Sequence, residues 1–219
     1  MKVYFISGLG ADERIFNFLK LNFCEPVFIK WIDPLPKESL PSYAKRLSVL
    51  IEEPDPVIVG LSFGGMIATE IAKANPAAKA IIISSAKTYK EVPAYFRMFE
   101  KFPVHNWSSH KLSKTVSRPI AKLLLGAKGE ANNAVINELL DDVNMDFDVW
   151  AVDAILKWRN MTIPPNLVHI HGRKDILLPY KYTRPNVTIQ DGTHSMIMNN
   201  ADELSAWLKD YITQIKKES

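Results

Sequence analysis

Val57-Ile58-Val59-Gly60-Leu61-Ser62-Phe63-Gly64-Gly65-Met66 places a serine between glycines, at the end of an apolar run and directly before a helical pattern. Gly60-Leu61-Ser62-Phe63-Gly64 is Gly-x-Ser-x-Gly, and this context suits a sharp strand-to-helix turn that presents a serine at the tip of a sheet. Glycines two before and two after the serine are needed there because side chains would collide in the corner. A helix N-terminus directed at the site also favours developing negative charge. The competing reading is a small turn residue without chemistry, and the pentapeptide alone does not separate the two.

Outward from that corner, short apolar runs alternate with helical patterns. The runs are Val3 to Ser7, Val27 to Ile32, Val57 to Leu61 and Ala80 to Ser84, with helices expected over Asp12 to Leu21, Ser39 to Glu52 and Gly64 to Asn75. Such alternation is the pattern of βαβ units and a parallel sheet. The runs are continuously apolar, as strands covered on both faces require. Asp12 and Ser39 are expected to cap helices, and Pro26 to separate the first helix from the second strand. The rhythm breaks from Lys87 to Pro165, where Val135, Ile136, Leu139, Leu140 and Val143, then Val149, Val152, Ile155 and Leu156, recur at helical spacing. Strand patterns resume at Leu167 to Ile170 and Asn186 to Gln190, before a helix from Ala201 to about Ile215.

Composition bounds the possibilities. With 219 residues, 47% hydrophobic and 23% charged, the chain can bury one substantial core and lies outside the disordered range. A net charge of +3, spread singly, does not call for nucleic acid as a partner. The apolar run at Val3-Tyr4-Phe5-Ile6 is too short for a signal peptide, and no run reaches the roughly 18 residues of a membrane span. A cytoplasmic location without a membrane partner is therefore expected. Cys24, the single cysteine, allows no internal disulfide and is expected to be a buried structural thiol.

A serine hydroxyl needs a base, and the base needs an orienting acid. His171-Gly172-Arg173-Lys174-Asp175 puts Asp175 in the turn after one late strand, and Asp191-Gly192-Thr193-His194 puts His194 after the next. Asp175 is favoured over the nearby Asp191 because the acid is expected in a separate loop before the histidine. His105, His110, His169 and His171 receive no catalytic role; His169 falls inside a strand and His171 at its end, where structural roles prevail. No histidine pair has metal-ligand spacing with carboxylate or cysteine partners.

In the elbow at Ser62, the acid turn ending in Asp175 with Leu178-Pro179, and the Gly192-Thr193-His194 loop, the chain resembles the α/β-hydrolase superfamily. The resemblance covers essentially the whole chain. It implies a mostly parallel sheet of about six strands flanked by helices, lacking the superfamily's first two strands. Residues 1–86 and 166–219 would form the core and residues 87–165 a helical cap. It further implies a Ser62, Asp175, His194 triad, with an oxyanion hole made by the backbone N–H groups of Leu9 and Phe63. Ser7 stands in Ser7-Gly8-Leu9-Gly10 where the superfamily commonly has histidine, so the orienting hydrogen bond of that ring must be absent or different.

The expected function is hydrolysis of a carboxylic ester, or of a thioester or amide, through an acyl-enzyme, with a small-molecule acyl substrate as partner and neither metal nor organic cofactor. Two other readings share these residues: a lyase, acyltransferase or carbon-carbon hydrolase on the same site, and a non-enzymatic binding protein that retains the pocket. Phe96, Met98, Phe99, Phe102 and Trp107 are candidates to line an acyl pocket or simply to pack. Lys101, Lys111, Lys114, Arg118, Lys122 and Lys128 form a basic stretch that either pairs with the acidic stretch from Glu130 to Asp153 or draws in anionic substrates.

Overall fold

The computed structural model describes residues 1–94, 96, 126 and 128–218, with the side chain of residue 131 left aside. Among the described residues, six strands form one sheet: β1 (Lys2–Ile6), β2 (Glu25–Ile29), β3 (Val57–Leu61), β4 (Lys79–Ile83), β5 (Leu167–Gly172) and β6 (Val187–Ile189). Their order is β2-β1-β3-β4-β5-β6, and every pairing is parallel.

Alternate residues of each apolar run feed two different cores. Tyr4, Ile6, Ile58, Ala80 and Ile82 face one side, while Val3, Phe5, Val59, Ile81 and Ile83 face the other. On the first side lie α1 (Leu40–Leu47) and α2 (Phe63–Ala74); on the second lie α5 (Met196–Asn199) and α6 (Ala201–Glu218). Each fully buried aliphatic side chain contributes about 1.5–3 kcal/mol, so a strand with two buried faces is anchored twice. Between β4 and β5, α3 (Glu130–Asp141) and α4 (Met145–Lys157) appear where helical spacing predicts helices. Phe147, Ala151 and Ala154 of α4 join the first core, and Ile136 and Leu139 of α3 join the second.

Three local expectations need correction. The segment after β1 is a short 3-10 helix, Glu13–Phe18, rather than a helix to Leu21; Asp12 does cap it, accepting the Arg14 N–H at 3.0 Å. Pro26 lies inside β2, not before it, which the edge position of that strand permits because a proline has no N–H to pair outward. Cys24 is half-buried rather than fully buried, and its surroundings push the thiol up to about 11. Ser39 caps α1 as expected, accepting the Ser42 N–H at 3.4 Å.

The strand order sets where a site can form. β1 has β2 on one side and β3 on the other, so the connections leaving these strands diverge and open a crevice at their carboxyl ends. The Ser7-Gly8-Leu9 loop after β1 and Ser62 after β3 both lie at that crevice.

Candidate active site

Ser62 links β3 to α2 with φ 50° and ψ −114°, a backbone conformation costly for any residue with a side chain. The corner survives because its surroundings over-determine it. The Ser62 N–H donates to Ile83 O at 2.9 Å, and its carbonyl accepts from Gly65 N at 2.9 Å and from Ser85 Oγ at 2.6 Å. A Cβ on Gly60 would strike the Gly64 carbonyl, and one on Gly64 would strike the carbonyls of Ile6 and Ser7. The glycine requirement is thus one of close approach between β1, β3 and the start of α2. Phe63 opens α2, so its N–H has no acceptor within its own helix.

His194 bridges the serine and the acid. Its Nε2 lies 3.0 Å from Ser62 Oγ, and its Nδ1 lies 2.8 Å from Asp175 Oδ2. The other carboxylate oxygen, Asp175 Oδ1, accepts the N–H groups of Leu177 at 2.9 Å and Leu178 at 2.8 Å. Burial works against the charge of Asp175, but facing His194, hydrogen-bonding to it and facing His171 outweigh burial and hold the carboxyl below its ordinary range. The acid loop and the histidine loop are stitched together, with Lys174 N donating to Gly192 O at 2.8 Å and Arg173 N to Ile189 O at 2.9 Å. A Cβ on Gly172 would meet the Gly192 carbonyl, so the loops can touch only as glycines.

Asp191, the rival acid, points away from the site: its side chain is 71% exposed and paired with Lys174. His169 and His171 are fully buried in β5, as structural histidines would be, yet His171 Nε2 also comes within 3.4 Å of Asp175 Oδ2. Strand geometry carries the signal for that pair, because residues two apart share a face.

Leu9 and Phe63 border the same cavity as Ser62 and His194. Ser7, where a histidine was the usual residue, donates its hydroxyl to Ala11 O at 2.9 Å, and Trp31 Nε1 donates to the same carbonyl at 3.2 Å. The orienting bond is therefore different, and it closes the loop from 7 to 11 on itself. Trp31 and Ser85 had no motif to announce them; they are recognised only through these contacts.

The cavity has a volume of about 330 Å³ and is walled by Met66, Phe96, Leu139, Val152, Ile155 and Leu156, among others. No lysine, arginine, aspartate or glutamate lies among its described lining residues. Phe96 borders the cavity and also packs against the first core, whereas Met98, Phe99, Phe102 and Trp107 lie outside the described residues, as do His105 and His110. The basic stretch from Lys101 to Lys122 lies outside them too. Lys128 is exposed; in the acidic stretch, Asp142 pairs with Arg14 at 2.8 Å and Asp153 with Lys157 at 2.7 Å. No group of three metal-ligating side chains occurs among the described residues, and no described helix is long and apolar enough to cross a membrane.

The fold and site together define an α/β protein with a histidine-bridged serine at the carboxyl edge of a parallel sheet. The model of the alpha/beta hydrolase family matches residues 5–207, and the chain belongs to that family. Several solved structures share the fold. A lipase-esterase related protein from Clostridium acetobutylicum is 16% identical, with 95% of this chain and 93% of that chain covered and a TM-score of 0.70. A thermophilic esterase from Thermogutta terrifontis is 14% identical, covering 98% and 90%, with a TM-score of 0.69. An epoxide hydrolase from Bacillus megaterium is 13% identical, covering 97% and 93%, with a TM-score of 0.71. At these identities the likeness speaks for fold alone, and esterases and an epoxide hydrolase share it. No curated protein matches the chain.

Proposed function

We propose that the protein is a serine hydrolase of carboxylic esters with apolar acyl groups, working through Ser62, His194 and Asp175. The observation that carries this reading is the 3.0 Å approach of Ser62 Oγ to His194 Nε2 at the wall of an apolar cavity. Ser62 Oγ attacks the acyl carbon as His194 Nε2 takes its proton, while Asp175 keeps the other ring proton on Nδ1 and stabilises the imidazolium. The N–H groups of Leu9 and Phe63 receive the oxyanion, a donor of this kind being worth about 3–4 kcal/mol in comparable sites. His194 then returns the proton to the departing alcohol, and a water deprotonated by the same ring cleaves the acyl-enzyme. Within the insertion, Phe96, α3 and α4 act as the cap that shapes the acyl pocket.

Among the described lining residues no side chain offers a counter-charge, which favours neutral over anionic acyl chains. Incubation with a fluorophosphonate, followed by turnover of p-nitrophenyl esters of increasing acyl length and of one anionic ester, tests the proposal. Labelling at Ser62 and a preference for neutral apolar esters are expected. An unlabelled, folded protein would remove the mechanism.

A further inference from the structure

From Asp175 a line of buried polar groups continues through β5 to Lys87. His171 Nε2 lies 2.8 Å from the Leu178 carbonyl and 3.4 Å from Asp175 Oδ2. His171 Nδ1 faces His169 Nε2 at 3.1 Å, and His169 Nδ1 faces Lys87 Nζ at 3.0 Å. Lys87 Nζ also donates to Arg184 O at 2.7 Å and pairs with Glu91 Oε1 at 3.0 Å. Both rings are 0% exposed, Lys87 is 4% and Glu91 is 6%. The triad does not require any of these groups, and burying an ammonium costs several kcal/mol unless its partners repay it.

The two ends of the line permit only one direction of hydrogen bonding. A carbonyl can only accept, so the His171 nitrogen beside Leu178 O carries a proton, and with the ring neutral its Nδ1 accepts from His169 Nε2. An ammonium can only donate, so His169 Nδ1 accepts from Lys87. The Leu178 end thus sets His171 and the Lys87 end sets His169, and the two settings agree at the shared contact of His169 Nε2 with His171 Nδ1. The opposite tautomer would aim a lone pair of His171 at the Leu178 carbonyl and the Asp175 carboxylate, pushing on the very turn that donates two N–H groups to Asp175 Oδ1.

We propose that Lys87 is a positioning residue for the reaction: by locking His169 as the Nε2–H tautomer, the donor that His171 Nδ1 needs, it holds the turn at 175–178 and keeps Asp175 aligned with His194. The proposal rests on the reading of Ser62, His194 and Asp175 as the triad. The groups facing the rings come from every neighbouring element: Lys87 and Glu91 after β4, Asp175 and Tyr180 after β5, and His194 after β6, with the Ser85 carbonyl turned toward His169. Burial foremost, then the Lys87 charge, keeps His169 neutral, and burial keeps His171 neutral despite the pull of Asp175. Lys87 also sits where the chain leaves the sheet for the insertion. Its carbonyl accepts from Asn160 Nδ2 at 2.7 Å, while Tyr89 N donates to Asn160 O at 3.0 Å, so the root of the insertion and the acid turn share one network.

Long-range proton-nitrogen correlation spectra of the intact wild-type protein, from about pH 5 to about pH 8, read the tautomers directly. Both rings are expected to stay neutral Nε2–H throughout; an Nδ1–H tautomer, or titration of either ring in that range, overturns the proposal. The double variant Lys87→Met/Glu91→Gln removes both buried charges together. It is expected to lower kcat about tenfold with KM held within about twofold, while His169 gains a proton on Nδ1 once no ammonium faces that nitrogen. A folded double variant with wild-type kcat, or with reduced kcat but both tautomers unchanged, overturns it as well. If the double variant does not fold, the wild-type spectra decide alone. Failure of the triad reading would register separately, as loss of fluorophosphonate labelling with the wild-type spectra as expected.

Discussion

Asp175 uses its two carboxylate oxygens for different tasks: Oδ2 lies 2.8 Å from His194 Nδ1, while Oδ1 takes two backbone N–H groups from its own turn. Asp175→Asn can place an N–H where an acceptor is needed and so favours the wrong tautomer of His194. A fall in kcat of about 10⁴ is expected at neutral pH, with the fold retained. Steady-state kinetics beside a circular dichroism melt checks this, and a loss below tenfold would place the acid elsewhere.

Ser62 is strained whatever its chemistry. Ser62→Ala and Ser62→Gly both remove the hydroxyl, and each should lower turnover by about 10⁴ to 10⁶ if the triad acts as a unit. Only the glycine relieves the backbone at φ 50°, so Ser62→Gly should be the more stable of the two by about 1 kcal/mol. Urea denaturation of the pair measures the difference, and equal midpoints would mean that the corner stores no strain.

Gly64 has no room for even a methyl group, because the Ile6 and Ser7 carbonyls stand where its Cβ would be. Gly64→Ala should destabilise the protein by more than about 3 kcal/mol, since backbone on both sides must separate. The expected result is a much lower urea midpoint together with lost activity.

Asp148 of α4 is raised to about 6, chiefly by burial, with the Gly10 backbone N–H pulling the other way. A carboxyl whose folded value is raised contributes stability below its unfolded value of 3.8, and that contribution is lost as pH rises through about 6. Asp148→Asn should therefore stabilise the protein at pH 7, by on the order of 1 to 3 kcal/mol, and bring no gain near pH 4. Denaturation at the two pH values tests the sign.

His169 and His171 are both lowered from the ordinary 6.5, foremost by burial. Below that value the unfolded chain takes up protons that the folded chain refuses, so stability should fall as pH drops from about 6.5 toward the folded values. Replacing His169 with Gln should flatten this slope, measured as the urea midpoint between about pH 5 and about pH 7.

Much of the molecule was legible beforehand for local reasons. The strands β1, β3 and β4 declare themselves because both faces are buried and nearly every residue is apolar. Ser62, Asp175 and His194 each sit beside glycines that tight corners and touching loops require. Ser39 and Asp12 act through their own neighbours, as caps do. The misreadings are of another kind: Pro26 looks like a boundary until β2 is known to be an edge strand, and the length of the helix after Asp12 depends on how Ile15 and Phe16 pack against the sheet.

By itself the sequence determined the alternation of strands and helices, the corner at Ser62 and the two loops that supply an acid and a histidine, because periodicity and turn chemistry act over a few residues. Only the tertiary structure decided that Asp175 and not Asp191 faces His194, that Ser85 braces the Ser62 carbonyl, and that Lys87 meets His169 across 82 positions of chain. Those relationships depend on strand order and on which carboxyl ends meet at the crevice. Contacts so distant in sequence leave no local periodicity, and the hydrogen bonds that define them exist only once the sheet has assembled.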